Sequence, residues 1–224
     1  MKLALQTIMS MFFGFAFFAV ALFVPAWTVN YWQAWVFIAV FMATAIGSSL
    51  YLAVRNPAAL QRRMKAGPTA ETRPLQRVVM VAIPLSVVLT VVVSALDHRF
   101  GWSSVPLAVI IIGDVLVAVG LILAQWVVIQ NNYAAATITV EQDQPLVSTG
   151  LYGWVRHPMY VGALIMMVGT PLALDSYWGL LAIIPALIVL SARILDEEKM
   201  LAQDLDGYRD YMTKVPYRLV PHVW

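Results

Sequence analysis

"PMYVGALIMMVGTPLALDSYWGLLAIIPALIVLSA", residues 158–192, is the stretch on which the fold turns. It is apolar almost throughout, but Pro171, Asp175 and Gly179 mark a turn near its middle. Two arms of about 17 residues result, short of the roughly 20 that a full span takes. The stretch therefore predicts a tight transmembrane helical hairpin. The consequence is topological. A hairpin returns the chain to the face it left, whereas a single span would carry Arg193, Lys199, Arg209, Lys214 and Arg218 to the opposite face.

Upstream the pattern repeats. Apolar runs at Leu3–Val24 (stopped by Pro25), Trp32–Val54, Val78–Leu96 and Val105–Ile129 each suffice for a span. The first is longer than the apolar core of a signal peptide and is read as a retained helix. The hydrophobic fraction of 61% and charged fraction of 12% point the same way; soluble domains are about half apolar and about a quarter charged. Mean hydropathy is +0.79. The predicted fold is an all-α integral membrane protein: four transmembrane helices, the C-terminal hairpin, then a cytoplasmic amphipathic helix and tail. Residues 1–129 form the four-helix region with its polar loop 55–77, and residues 130–224 form a second region.

Charge sorts the two faces. The 55–77 segment carries Arg55, Arg62, Arg63, Lys65, Arg73 and Arg77. With that loop cytoplasmic, the hairpin topology puts all but Arg99 of the 14 basic residues inside. Three polar pieces then share the cytoplasmic face: 55–77, 130–157 and the tail. A site at that surface is built from them.

Several chemistries are excluded. With no cysteine there is no disulfide, thiolate metal site or thiol nucleophile. His98, His157 and His222 lack metal-ligand spacing. A net charge of +2 without a basic motif gives no case for nucleic acid. The partners expected are membrane lipids and a lipophilic substrate entering from the bilayer.

Two motifs carry chemistry. In "LYGWVRHPMYVGAL", residues 151–164, Pro158 suits the first position of a helix and His157 its N-cap. Arg156 and His157 read equally as an interfacial anchor or as part of an anion site at the helix N-terminus. Tyr152, Trp154 and Tyr160 supply aromatic walls suited to a cation or a flat base. In "ARILDEEKMLAQDLDGYRDYMTKVPYRLVP", residues 192–221, Leu201, Leu205, Tyr208 and Met212 fall on one helical face. Arg193 and Glu197 are four apart. Asp196, Glu197 and Glu198 form an acidic cluster at the bilayer edge that calls for a cation. Pro216 and Pro221 give an extended end able to fold back. Asp114 is the ionisable residue deepest in the bilayer. It reads either as bonded to Ser86, Thr90 or Gln125, or as a substrate contact, with Gly113 beside it permitting close helix approach.

Taken in order, "QPLVSTGLYGWVRHPMYVG", an apolar hairpin and "RILDEEKMLAQDLDGYRDYMTKVPYRLVP" resemble the isoprenylcysteine carboxyl methyltransferase family, with its phospholipid methyltransferase relatives, in a short bacterial-type form. The resemblance covers about residues 130–224. It implies a helix bundle that encloses S-adenosylmethionine at the cytoplasmic face with its last helices and tail. It implies a cofactor pocket of Gln144, Pro145, Leu146, Val147, Tyr152, His157, Pro158, Met159, Tyr160 and Glu197, with Glu198 as the neighbouring candidate. Gln144 stands where eukaryotic members have histidine. Arg193 would face the substrate and orient its carboxylate as the catalytic residue. Asp114 is the further substrate-binding candidate.

The expected activity is methyl transfer from S-adenosylmethionine to a lipophilic carboxylate, or to an amine. The amine would require a base from among Glu197, Glu198 and Asp114. Methyl transfer needs alignment and exclusion of water more than acid–base machinery. Two alternatives stand beside it. One is an NADPH-dependent reductase of sterol-reductase type, whose C-terminal blocks look similar; the other is a non-enzymatic membrane protein.

Overall fold

The computed structural model describes residues 2–64, 71, 73–134, 140 and 144–224, with backbone alone for 2–8. Lys65 and parts of the 130–157 segment lie outside the described residues. The described elements are α1 (Lys2–Ala26), α2 (Trp32–Arg55), α3 (Pro57–Met64), α4 (Pro74–Phe100), α5 (Leu107–Gln130), a 3-10 turn (Gly150–Gly153), α6 (Pro158–Ala173), α7 (Trp178–Leu181), α8 (Ile183–Asp204) and α9 (Tyr208–Lys214). Pro25 lies inside the last turn of α1, which ends at Trp27 in the left-handed region.

Five helical stretches are long and apolar enough to cross a membrane: Met9–Ala26, Trp32–Arg55, Pro74–Phe100, Leu107–Gln130 and Trp178–Asp204. The hairpin expected at 158–192 has unequal arms. α6 has 16 residues, about 24 Å of helix against a hydrocarbon core of about 30 Å. The second arm runs on through Arg193 to Asp204, because the polar side chains that end the apolar run each find a partner inside the protein.

Nor do the arms zip along each other. α6 packs mainly on α5, and α8 mainly on α4. Glycine decides this. A Cβ on Gly120 would stand 2.5 Å from the Gly162 carbonyl oxygen, one on Gly162 2.6 Å from that of Gly120, and one on Gly169 2.7 Å from that of Gly113. Gly113 and Gly120 on α5 thus meet Gly169 and Gly162 on α6, and the backbones touch. Small residues at the contact give transmembrane helices their close approach.

At one end of the bundle a polar knot ties the turns. Asp97, fully buried, accepts from the Ser103 N–H (2.7 Å), the Ser103 hydroxyl (2.6 Å) and the Ser176 hydroxyl (2.6 Å). Asp175, in the turn read from the sequence, accepts from Val105 N–H (2.7 Å) and Gln33 (2.9 Å). Tyr31 donates to the Leu174 carbonyl at 2.5 Å and stacks on His98. A core of Leu22, Tyr31, Phe37, Val91, Val117 and Leu174 lies behind.

At the other end α3 occupies part of the polar 55–77 segment, and the chain folds over the helix ends. The single amphipathic helix expected beyond 192 is broken. α8 stops at Asp204, Gly207 adopts φ +76°, and α9 starts at Tyr208. Leu205, Tyr208, Tyr211 and Val215 still bury together against Leu146 and Tyr152, because the hydrophobic pattern continues in phase across the break.

Candidate functional site

The site grows from the start of α6. Pro158 takes the first helical position and His157 the N-cap, without a side-chain cap bond. The chain before it is fixed by the tail: Arg156 and His157 donate their N–H groups to the carbonyls of Tyr217 (2.9 Å) and Arg218 (3.0 Å). The fold-back expected of "VPYRLVPHVW" is therefore present as a backbone pairing. Further upstream the 3-10 turn is set by Gln130 at the end of α5, which accepts from Leu151 N–H at 3.2 Å. Gly150 at φ +62° leaves no room for a Cβ beside that glutamine. The turn presents Tyr152, whose hydroxyl accepts from Asn131 at 3.1 Å.

The three successive acids of α8 point three ways. Asp196 receives a two-pronged bond from Arg73 (2.8 and 2.5 Å) and one from Gln76 (2.8 Å), tying α8 to the start of α4. Glu198, 4% exposed, receives Arg156 (2.6 Å) and Arg218 (2.9 Å) and lies 3.2 Å from His157 Nε2. Arg156 also donates to the carbonyls of Val215 and Pro216, both at 2.8 Å. It is thus a buried clamp on the tail and not a lipid-phosphate anchor. Glu197 accepts from the Tyr160 hydroxyl at 2.6 Å, and that hydroxyl accepts from Arg193 Nε at 2.8 Å. Arg193 and Glu197, four residues apart, are joined through a phenol. Arg193 also donates to Gln76 Oε1 at 3.2 Å.

One cavity lies among these groups. Gln144, Pro145, Leu146, Val147, Tyr152, His157, Pro158, Met159, Tyr160 and Glu197 all line it, and so does Arg193. Asp114 does not join them. It sits on α5 beside the Gly113 contact, roughly 25 Å along the helix from Asn131 at the cavity. None of its expected partners reaches it: its Oδ1 is buried without a hydrogen-bond partner among the described residues.

Residues not anticipated as site members also line the cavity: Asn131, Tyr133, Met200, Tyr208 and Tyr211. Tyr208 is 4% exposed, and its hydroxyl has no hydrogen-bond partner among the described residues. In the sequence it was hidden by its place on the apolar face of a helical repeat. A hydroxyl among leucines was the available signal. Burial is the main cause that pushes the Tyr152 phenol up to about 12, with the Asn131 bond opposing and the Glu197 charge adding. Burial likewise raises Tyr208 and Tyr211. These phenols stay neutral at physiological pH, serving as apolar walls with a donor at the tip.

Comparison with known proteins finds likeness both in sequence and in fold. The phospholipid methyltransferase family model matches residues 108–206. Protein-S-isoprenylcysteine O-methyltransferase of Schizosaccharomyces pombe is 39% identical over 79 residues, 34% of this chain and 33% of that protein. The Saccharomyces cerevisiae protein of the same name is 40% identical over 77 residues, 34% of this chain and 32% of that one. A Delta(14)-sterol reductase of Mus musculus is 33% identical over 93 residues, 39% of this chain and 22% of the reductase. The matched stretches thus span between about a fifth and a third of these relatives. In fold the likeness is wider. The solved structure of a eukaryotic intramembrane Ras methyltransferase, isoprenylcysteine carboxyl methyltransferase, superposes with TM-score 0.50 at 15% identity, covering 98% of this chain and 85% of that one. The chain resembles the isoprenylcysteine carboxyl methyltransferase family and its phospholipid methyltransferase relatives.

Proposed function

We propose that this protein transfers a methyl group from S-adenosylmethionine to a lipophilic acceptor, favouring a carboxylate, that reaches the cavity from the bilayer. The observation that carries the reading is Glu197: a carboxylate lining an aromatic-walled cavity, bonded to a neutral phenol rather than directly to a cation. An acid held this way suits a cationic ligand group. The residues fit the cofactor in its other parts too. Tyr152, Tyr208 and Tyr211 offer flat faces, and the first turn of α6 offers a partial positive charge to a carboxylate. When bound, S-adenosylmethionine supplies a methyl group made electrophilic by its sulfonium.

The chain's own contribution is placement and dryness. Glu197 and Tyr160 fix the cationic end. Leu146, Met159 and Met200 give the cavity apolar walls, which would help exclude water once the ligands fill it. Arg193 stands toward the acceptor and holds Tyr160 by its Nε. His157 is turned to Glu198, and Glu198 is occupied by two arginines, so neither is placed to take a proton from an acceptor. Asp114 is remote. An ionised carboxylate acceptor needs no base, and this favours it over an amine. At the cavity end lie all the described lysine and arginine side chains except Arg99; by the positive-inside tendency this end is cytoplasmic.

Calorimetry on the detergent-purified protein tests the reading. S-adenosylmethionine or S-adenosylhomocysteine should bind, and NADPH should not. Binding of NADPH alone would move the protein to the reductase reading suggested by the mouse relative. Binding of none would leave a membrane protein without this chemistry.

A further inference from the structure

Arg63, on α3, has no acidic partner among the described residues. It is half-buried, and its NH1 donates to the sulfur of Met159 at 3.7 Å. A thioether is a weak acceptor. Its neighbours are better served: Arg73 meets Asp196, Arg156 and Arg218 meet Glu198, and Arg62 lies over the Tyr133 ring at 5.0 Å. Burial lowers the Arg63 pKa from the ordinary arginine value. A desolvated cation calls for a compensating anion.

Its position says where that anion comes from. On one side Arg63 touches Met159, which lines the cavity. On the other, α3 closes the end of an apolar groove between α1 and α2, lined among others by Met11, Gly14, Phe41, Met42, Leu60 and Met64. Leu60, Met64 and Met159 pack in one cluster. That cluster stands between the end of the groove, at Leu60 and Met64, and the cavity wall, at Met159, and Arg63 donates to Met159 beside it. The arginines that line the cavity are already engaged, Arg156 by Glu198 and Arg193 by Tyr160, Gln76 and, at 3.9 Å, Glu71.

We propose that Arg63 binds the oxyanion of the membrane-borne acceptor, a carboxylate or a phosphate, while the acceptor's hydrocarbon lies in the α1–α2 groove. The proposal rests on the methyl-transfer reading for calling the ligand an acceptor, but its geometry stands apart from the cofactor contacts.

The test is binding in neutral phosphatidylcholine nanodiscs, with three probes: hexadecylthioacetic acid, its methyl ester, and hexadecyl phosphate. The wild-type protein should prefer at least one anionic probe to the ester by about tenfold to a hundredfold, the worth of a charge-assisted hydrogen bond. Which anion binds tighter tells a carboxylate acceptor from a phosphate-bearing lipid. Arg63→Gln should bring the ratio near one, and Arg63→Lys should keep most of it. Met42→Trp should weaken all three probes by a similar factor. A ratio unchanged in Arg63→Gln, or absent from the wild type, overturns the anion site; unchanged affinities in Met42→Trp overturn the groove. S-adenosylhomocysteine affinity, measured on the same samples, should be the same in wild type and Arg63→Gln. If that ligand fails to bind even the wild type while the Arg63-dependent ratio persists, the methyl-transfer reading falls and the anion site stands.

Discussion

Asp196, Glu197 and Glu198 differ in role because a helix turns about 100° per residue. Three adjacent carboxylates on α8 cannot face one ligand. Asp196 turns to Arg73 and Gln76, Glu198 to Arg156 and Arg218, and Glu197 is left toward the cavity. Replacing Glu197 with Gln keeps the shape and an acceptor for Tyr160 but removes the charge. S-adenosylmethionine affinity should fall by about tenfold to a hundredfold with melting temperature little changed, as calorimetry and thermal denaturation would show. An unaltered affinity would remove Glu197 from the cofactor's cationic end. Tyr208→Phe deletes only a hydroxyl that has no hydrogen-bond partner among the described residues, so stability should hold or rise, whereas cofactor affinity should drop a few-fold. The spacing R-x-x-x-E-E made Glu197 and Glu198 candidates, but it could not divide them. The division depends on Arg218, which comes from the tail, and on the fold that brings it there. Arg156 was ambiguous for the same reason: its partners are carbonyls of residues 215 and 216, far off in sequence.

Elements were legible where hydrophobicity alone sets them and less so where contact does. The long apolar helices follow from uninterrupted apolar runs, close to their expected limits. The Gly207 break escaped detection because Leu201, Leu205 and Tyr208 keep helical spacing across it. The pairing of α5 with α6 was foreshadowed by Gly113 alone; Gly120, Gly162 and Gly169 become a motif only when two helices are set antiparallel. That contact makes a sharp prediction. A methyl group on Gly120 meets the Gly162 carbonyl and the Met166 backbone, neither of which can yield like a flexible side chain. Gly120→Ala should cost about 1–3 kcal/mol, read as a lower melting temperature in detergent. Gly47→Ala on α2 is the internal control. A Cβ there meets nothing within 4 Å, and alanine is the better helix former, so stability should not fall.

At the scale of the whole molecule, the family model matches residues 108–206, while similarity of fold extends over 98% of the chain. A physical reason lies in what each part must do. The first helices have chiefly to be apolar, to pack and to leave an apolar groove, which many sequences satisfy. The C-terminal half must place named groups around a cavity. Its coherence rests on the tail, closed over the start of α6 by Glu198, Arg156 and Arg218 and by backbone bonds at 156–157. The Asp97 knot holds the opposite end and shares no residue with this clasp. The two ends should therefore loosen independently. Glu198→Gln leaves two arginines, one of them buried, without their carboxylate. Breaking a buried ion pair in this way costs about 3–5 kcal/mol. Hydrogen exchange should quicken at the amides of Arg156, His157, Arg218 and Leu219, while Ser103 and Val105 at the knot keep wild-type protection. Cofactor affinity should fall as well, because the tail pairing fixes His157 and thereby the mouth of α6. Equal loosening at both ends would show a single cooperative unit and no separable clasp.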